Sequence, residues 1–114
     1  MTSYLLLFKG SFAKWNALSE ERRSDIIKKF GNYGKELGNL GYMRGGAGCG
    51  ERSFRLLKRE ATAENALVNN NTEDMVTGYF IIEVPSEAEA LRVARLCPAF
   101  DYGEHIELIP CSHD

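Results

Sequence analysis

The last third of the chain constrains the fold more than any other part. Gly78–Val84 is a short apolar run of the length that a buried strand has. Ser86 follows, with Glu89 three residues on, and this spacing predicts a helix that begins with a capping box. Cys97-Pro98 ends that helix, because the residue before a proline resists helical geometry. His105–Ile109 then predicts another strand, so the region has the order strand, helix, strand.

The first part of the chain predicts one more strand and one long helix. Tyr4–Phe8 is short and apolar, as a buried strand is, and Lys9–Leu18 is expected to be a loop. Ser19 is a good helix N-cap, and the residues after it carry an amphipathic stripe. Gly41 is a suitable end for this helix.

The middle of the chain has weaker patterns. Tyr42–Arg44 predicts a short strand that runs into the glycine-rich segment Gly45–Gly50. That segment favours a tight turn or bulge over a dinucleotide-binding loop, which would need a strong strand before it and a helix after it. Ser53–Lys58 is a second candidate strand, Glu60–Leu67 could be helical by composition, and Asn69–Thr72 is expected to be a loop.

The order of the main elements is β-α-β-β-α-β. This is the ferredoxin-like arrangement, an α+β fold in which two helices cover one face of an antiparallel sheet. A chain of 114 residues has the size of one domain, so residues 1–114 are expected to form a single unit.

The face of the sheet away from the helices is predicted to be apolar. Alternation along the strands assigns Tyr4, Leu6, Phe8, Tyr79 and Ile81 to that face. An exposed apolar sheet face needs a partner, and a second copy of the same sheet is the simplest one. The sequence therefore predicts a homodimer that forms sheet to sheet.

Polar residues assigned to the same face predict a cleft at the dimer interface. Its expected lining is Tyr4, Arg44, Tyr79, Glu83, His105 and Glu107, with Gly45–Gly50 at the rim. Paired carboxylates and a histidine can perform acid–base chemistry, which makes Glu83, Glu107 and His105 the catalytic candidates. Tyr4, Arg44 and Tyr79 are the candidates for ligand binding. The alternative is that the carboxylates pair with Arg44 or a lysine and leave no cavity.

Charge and cysteine content narrow the possible partners. The net charge of −2 gives no broad cationic field, so neither nucleic acid nor a membrane is an expected partner. Cys49, Cys97 and Cys111 lack metal-type spacing, so no metal or other cofactor is predicted. Reduced thiols and the lack of a signal-peptide pattern favour a cytoplasmic protein. Cys49 lies between Arg44 and Arg52 in the sequence, but an inert thiol is the favoured interpretation.

Several segments, in the right order, resemble the YCII-related family, in the branch named after an Asp-Gly-Pro-Phe motif. The similar segments are Tyr4–Phe8, Trp15–Glu21, Leu40-Gly41, Gly46–Gly48, Thr77–Glu83, Cys97-Pro98 and Ile106–Pro110. The resemblance implies a ferredoxin-like domain that dimerises in the manner of dimeric α-β barrels. The Asp-Gly-Pro-Phe motif itself is absent, and residues 66–74 stand in its place. Some relatives carry a helix-one histidine paired with an aspartate, and Phe30 occupies that histidine position here.

Three functional hypotheses follow. The first is a homodimeric domain that binds a small ligand of unknown kind without catalysis. The second is a small lyase or isomerase that acts in the dimer cleft on an aromatic or acidic metabolite. The third rests on the resemblance alone, which implies an accessory partner of a transcription-related protein.

Overall fold

The fold is α+β, with one antiparallel sheet. The computed structural model describes residues 1–68 and 73–111, so the loop expected at Asn69–Thr72 lies outside the described residues. The strands in the described part are β1 (Thr2–Gly10), β2 (Met43–Gly48), β3 (Met75–Val84) and β4 (His105–Cys111). The helices there are α1 (Phe12–Ala17), α2 (Glu20–Asn39), α3 (Ala63–Ala66), α4 (Glu87–Arg95) and a 3₁₀ helix, Pro98–Tyr102. The strand order is β2-β3-β1-β4, which puts β1 and β3 in the centre.

The two long helices begin where the sequence predicts. Ser19 accepts a hydrogen bond from the Arg22 backbone N–H at 3.1 Å, and this caps α2. The Ser86 hydroxyl oxygen accepts from the Glu89 backbone N–H, also at 3.1 Å, and this caps α4. The chain after α2 reverses through Gly41, whose φ of +79° suits glycine. Local sequence therefore sets these helix starts.

The Glu89 side chain does not complete the expected capping box. Its carboxylate accepts from Arg92, one turn along α4, and from the Tyr42 hydroxyl at 2.5 Å. Arg92 first, and then Tyr42, lower the pKa of Glu89 to about 2. Glu89 thus ties the start of α4 to the chain just before β2.

Residues 9–18 are not a loop throughout, and that prediction is wrong. β1 continues to Gly10, and α1 follows directly. The Ser11 hydroxyl oxygen caps α1 by accepting from the Lys14 backbone N–H at 3.2 Å, and Phe12 is buried. The burial of Phe12 supports a helix that is too short to be recognised by periodicity.

The middle of the chain also differs from the prediction. β2 runs through the glycine-rich segment as far as Gly48, with an irregularity in register between Met43 and Gly45. A Cβ at Gly46 would lie 2.6 Å from the Tyr79 carbonyl oxygen, so this strand position accepts only glycine without a shift. Ser53–Lys58 is not a strand, since Phe54 makes only an isolated bridge to Leu67. Of the segment Glu60–Leu67, only α3 is helical.

The assignment of β1 side chains to sheet faces is wrong. Tyr4, Leu6 and Phe8 are buried on the helix-covered face, where Leu6 pairs with Phe80 and with Leu108. Both alternating sets of β1 are apolar, so periodicity separates the two faces without saying which one covers the core. The register with β3 decides this, and it places Leu5 and Leu7 on the opposite face.

The core lies between that sheet face and the two long helices. α2 contributes Tyr33 and Leu37, and α4 contributes Ala90 and Val93. The Tyr33 hydroxyl donates to the Val93 carbonyl at 2.6 Å, which joins the two helices. Burial raises the pKa of Tyr33. Both helices therefore pack on one face of the sheet.

The helix α2 contains three glycines, Gly31, Gly34 and Gly38, and only one of them lies near the sheet. A Cβ at Gly34 would lie 3.5 Å from the Phe80 ring, whereas Gly31 and Gly38 have no neighbouring atoms within 4 Å of that position. A separation of 3.5 Å is an ordinary van der Waals contact, so close approach to the sheet does not require glycine at any of these three positions.

The chain is flatter and wider than a compact domain of its length. Its extents are 43 × 42 × 17 Å, and its radius of gyration is 15.6 Å. A compact domain of this size has a radius of gyration of about 13 Å. Residues 49–68, which we name the arm, follow β2 and lead toward β3. Two leucines of the arm, Leu56 and Leu57, are exposed, and the exposed fraction of Leu57 is 87%. Leu56 and Leu57 of the arm therefore have little cover from the residues that the structure describes.

Candidate functional site

The open face of the sheet, away from the helices, carries most of the predicted site residues. Tyr79, Glu83, His105 and Glu107 lie on this face, since their cross-strand partners are the outward residues of β1 and β2. Tyr4 does not join them, because it is buried in the core and only 7% exposed. The predicted set is therefore split between the two faces.

Glu83 forms an ion pair at the β2 side of the sheet. Its Oε2 accepts from Arg44 Nε at 3.0 Å, and the Arg44 guanidinium also donates to the Gly41 carbonyl at 2.8 Å. Glu83 is therefore paired with Arg44, which is the arrangement that the sequence analysis gave as the alternative to a cleft.

Glu107 belongs to a separate cluster near the other end of β1. Lys9 Nζ lies 3.1 Å from Glu107 Oε1 and 3.2 Å from Asp74 Oδ2, and His105 Nε2 lies 3.0 Å from Asp74 Oδ1. Hydrogen bonds to Glu107 and Asp74 raise the pKa of Lys9. Hydrogen bonds from Lys9 and His105 lower the pKa of Asp74. Sequence analysis missed Lys9 and Asp74, because only the sheet register brings them to His105.

The structure does not bring the two predicted carboxylates together. Glu83 is opposite Ser3 on β1, and Glu107 is opposite Leu7 on the same strand. Four residues along a strand span about 14 Å, which is too far for two groups to act on one reacting atom. Glu83 is instead paired with Arg44, and Glu107 shares Lys9 with Asp74.

An apolar pocket lies on the other side of the sheet, between one end of the strands and the helices α1 and α2. Its volume is about 440 Å³. The residues that line it are Phe8, Phe12, Trp15, Ile27, Phe30, Gly46, Ala47, Gly48, Cys49, Thr77, Gly78, Phe80 and Glu104. We name it the aromatic pocket, because five aromatic side chains form its walls. Its volume is within the range of small-molecule sites, about 300–1,000 Å³.

The walls of the aromatic pocket come from distant parts of the sequence. The Phe8 ring packs edge to face against Phe30 and Phe80, with ring centroids 5.1 and 5.0 Å apart. α1 adds Phe12 and Trp15 from the other side. These contacts fix the rings, so the walls exist before any ligand binds.

Two glycines of the sheet let the aromatic rings pack directly against the backbone. A Cβ at Gly46 would lie 2.6 Å from a carbon of the Phe80 ring, and one at Gly78 would lie 3.2 Å from a carbon of the Phe8 ring. A Cβ at Gly48, in contrast, would meet no atom within 4 Å. The glycine-rich strand therefore serves as one wall of the pocket, which a turn would not provide.

Two polar side chains in the aromatic pocket are hydrogen-bonded to each other. Thr77 Oγ1 lies 2.5 Å from Glu104 Oε2, and the hydroxyl donates to this carboxylate oxygen. Glu104 is half-buried, and its backbone N–H donates to the Ala99 carbonyl at 3.1 Å. A Cβ at Gly10 would lie 2.8 Å from Glu104 Cγ, so glycine at this position leaves room for the side chain. Glu104 is thereby held at the pocket wall.

The aromatic pocket has the composition of a binding site. Among the described residues its lining includes one carboxylate and one thiol, Cys49, but no histidine, lysine or arginine. A thiol without a base beside it is a poor nucleophile. Sequence analysis did not identify this site, although Trp15 was an available signal, since a tryptophan in an apparent loop usually packs against something.

The fold and the pocket define the class of protein, which is an α+β domain with an apolar cavity. Comparison with known proteins does not assign a family to it. No protein-family model matches the chain, and a search of curated proteins finds no significant match.

Cys49, Cys97 and Cys111 are free thiols, and burial raises the pKa of Cys97 to about 12. Within residues 1–68 and 73–111, no group of three or more His, Cys, Asp or Glu side chains could hold a metal ion. In the same ranges, no helix has both the length and the apolar character to cross a membrane.

Proposed function

We propose that this protein is a homodimeric domain that binds a small, largely apolar ligand in the aromatic pocket. The observation that carries the proposal is a cavity of about 440 Å³ with aromatic walls and a carboxylate held at one side. Sites for small molecules typically combine apolar walls with a few fixed polar groups. The proposed site is on the helix side of the sheet and replaces the cleft expected on the open face.

The topology we propose is ferredoxin-like. The chain order of the long elements is β1, α2, β2, β3, α4, β4, and the sheet order is β2-β3-β1-β4. Both long helices pack on one sheet face, which supports this topology. Membership of the YCII-related family, which implies the same topology, is part of the proposal.

The homodimer is supported by two apolar surfaces that lack cover within the single chain. On the open face, Ile81 and Ile109 are 37% and 40% exposed, and Leu5, Leu7 and Tyr79 are half-buried beside them. The charged groups around them are arranged as pairs of opposite sign, so a second copy of the face can approach without strong repulsion. The arm adds exposed leucines that a second copy would cover, and we propose that copy as the partner.

The catalytic alternative has one observation in its favour. His105 is hydrogen-bonded to Asp74, and a histidine oriented by a carboxylate can serve as a base. Both groups are exposed, and Asp74 is shared with Lys9. We therefore propose ligand binding ahead of lyase or isomerase activity.

A variant that fills the aromatic pocket tests ligand binding. Gly48→Leu places a side chain at the pocket wall where a Cβ meets no atom within 4 Å, so the fold should tolerate it. Gly50→Leu is the matched control, because Gly50 is equally unobstructed but does not line the pocket. Trp15 is the single tryptophan of the chain and lies in the pocket, so its fluorescence reports binding there.

Phenethyl alcohol is a suitable neutral probe for this titration. We expect a saturable change in Trp15 fluorescence for the unmodified protein and for Gly50→Leu, and a much weaker change for Gly48→Leu. An equal response from Gly48→Leu would show that binding occurs elsewhere. Light scattering tests the dimer, for which we expect twice the chain mass of 12.8 kDa.

A further inference from the structure

Glu104 is the only charged side chain among the described residues that line the aromatic pocket. The Thr77 hydroxyl donates to its Oε2, and within residues 1–68 and 73–111 the other oxygen, Oε1, has no protein donor. Glu104 also forms no ion pair with the lysines and arginines of the described chain, in contrast to Glu83 and Glu107. One carboxylate oxygen is therefore available to a ligand.

The surroundings of this carboxylate favour positive charge. An ionised carboxylate only accepts hydrogen bonds, so its ligand partner must be a donor. The faces of aromatic rings carry partial negative charge and attract cations, and Trp15 is the most favourable ring type for this interaction. Five aromatic side chains line the same cavity as Glu104. An anionic ligand would be repelled by the Glu104 carboxylate.

The pocket therefore differs from a purely hydrophobic site. Hydrogen bonds between an ammonium group and a carboxylate are roughly twice as strong as neutral ones. In a half-buried position this contact is screened by water less than it would be at the surface. A neutral ligand would gain the apolar contacts alone, whereas a cationic ligand would gain both.

We propose that the ligand of the aromatic pocket is an organic cation, an inference that rests on the binding function proposed above. Its ammonium group donates to Glu104, and its hydrocarbon part lies between the Phe8, Phe12, Trp15 and Phe80 side chains. The volume of about 440 Å³ suits a molecule of one or two rings, such as an aromatic amine.

Three probes of similar size and different charge test the ligand class on the unmodified protein. They are phenethylamine, phenethyl alcohol and 3-phenylpropionate, each titrated at neutral pH with Trp15 fluorescence as the readout. We expect the amine to bind about tenfold more tightly than the alcohol, and the carboxylate probe to bind most weakly. Equal binding of amine and alcohol, or tightest binding of the carboxylate probe, would overturn the cation assignment and leave the binding function standing. Failure of all three to bind would overturn the binding function itself.

Substitution of Glu104 tests the contact directly. Glu104→Gln keeps the size of the side chain and removes its charge, so the amine should lose its tenfold advantage while alcohol binding stays within about twofold. Glu60→Gln is the control, because Glu60 is exposed on the arm and should leave both affinities unchanged. Circular dichroism melting checks that both variants are folded. Retention of the amine preference by folded Glu104→Gln would contradict the proposal.

Discussion

Replacing Leu6 by alanine should destabilise the protein far more than the same change at the neighbouring Leu5. Leu6 is 0% exposed and belongs to the core on the central strand β1. Its removal leaves a cavity that a central strand cannot close, which costs about 3–4 kcal/mol. Leu5 lies on the open face and is half-buried, so its truncation should cost about 1 kcal/mol within the single chain.

Urea unfolding followed by circular dichroism measures this difference. A chain of 114 residues has a free energy of unfolding of about 6–17 kcal/mol, so the loss at Leu6 is a substantial part of the total. With a urea dependence of about 2 kcal/mol per molar, the midpoint should fall by about 2 M for Leu6→Ala and by about 0.5 M for Leu5→Ala.

The measurement should be repeated at two protein concentrations. If Leu5 contributes to the proposed dimer, the loss of stability caused by Leu5→Ala, relative to the unmodified protein, should grow with protein concentration. The loss caused by Leu6→Ala should stay nearly constant, because it arises in the core of the single chain. Equal losses for the two variants, or a larger loss for Leu5→Ala, would mean that β1 presents its other face to the helices.

Three further predictions concern the open face, the core and the response to acid. Ile81→Asp should weaken the dimer in light scattering, while circular dichroism shows a folded chain. Ile82→Asp should unfold the chain, because Ile82 is 0% exposed. The reverse pattern would refute the assignment of Ile81 to the open face and of Ile82 to the core. Tyr33→Phe should lower the free energy of unfolding by about 1 kcal/mol, because the Val93 carbonyl of α4 loses one of its two donors and keeps the Leu96 backbone N–H. An unchanged urea midpoint would contradict this. The pKa of Glu89 in the folded chain lies below its ordinary value. The ionised Glu89 side chain therefore stabilises the fold at neutral pH, and this stabilisation is lost as the pH falls toward 2. In Glu89→Gln, the free energy of unfolding should therefore fall less steeply as the pH is lowered. An unchanged pH dependence would show that the ion pair with Arg92 does not contribute to it.

The sequence alone determined the elements whose signals are local. Ser19 and Ser86 cap their helices as predicted, because a capping hydrogen bond joins residues three apart. The end of α4 just before Pro98 and the strand character of Gly78–Val84 are equally local properties. The α+β class follows from these elements and their order.

Only the tertiary structure decided which residues meet. Alternation in β1 left two apolar faces, and pairing with β3 buried Leu6 and exposed the side of Leu5. The glycine-rich segment is a strand because it pairs with β3, and Phe80, which is far away in the sequence, packs against Gly46 there.

The aromatic pocket depends on the same kind of long-range contact. Its rings come from β1, α1, α2 and β3, and its carboxylate, Glu104, meets Thr77 only because β1 lies between β3 and β4. Local patterns record the preferences of the backbone and of nearby side chains. A binding site is a set of distances between remote residues, and these are fixed when the sheet register and the packing of the helices are fixed.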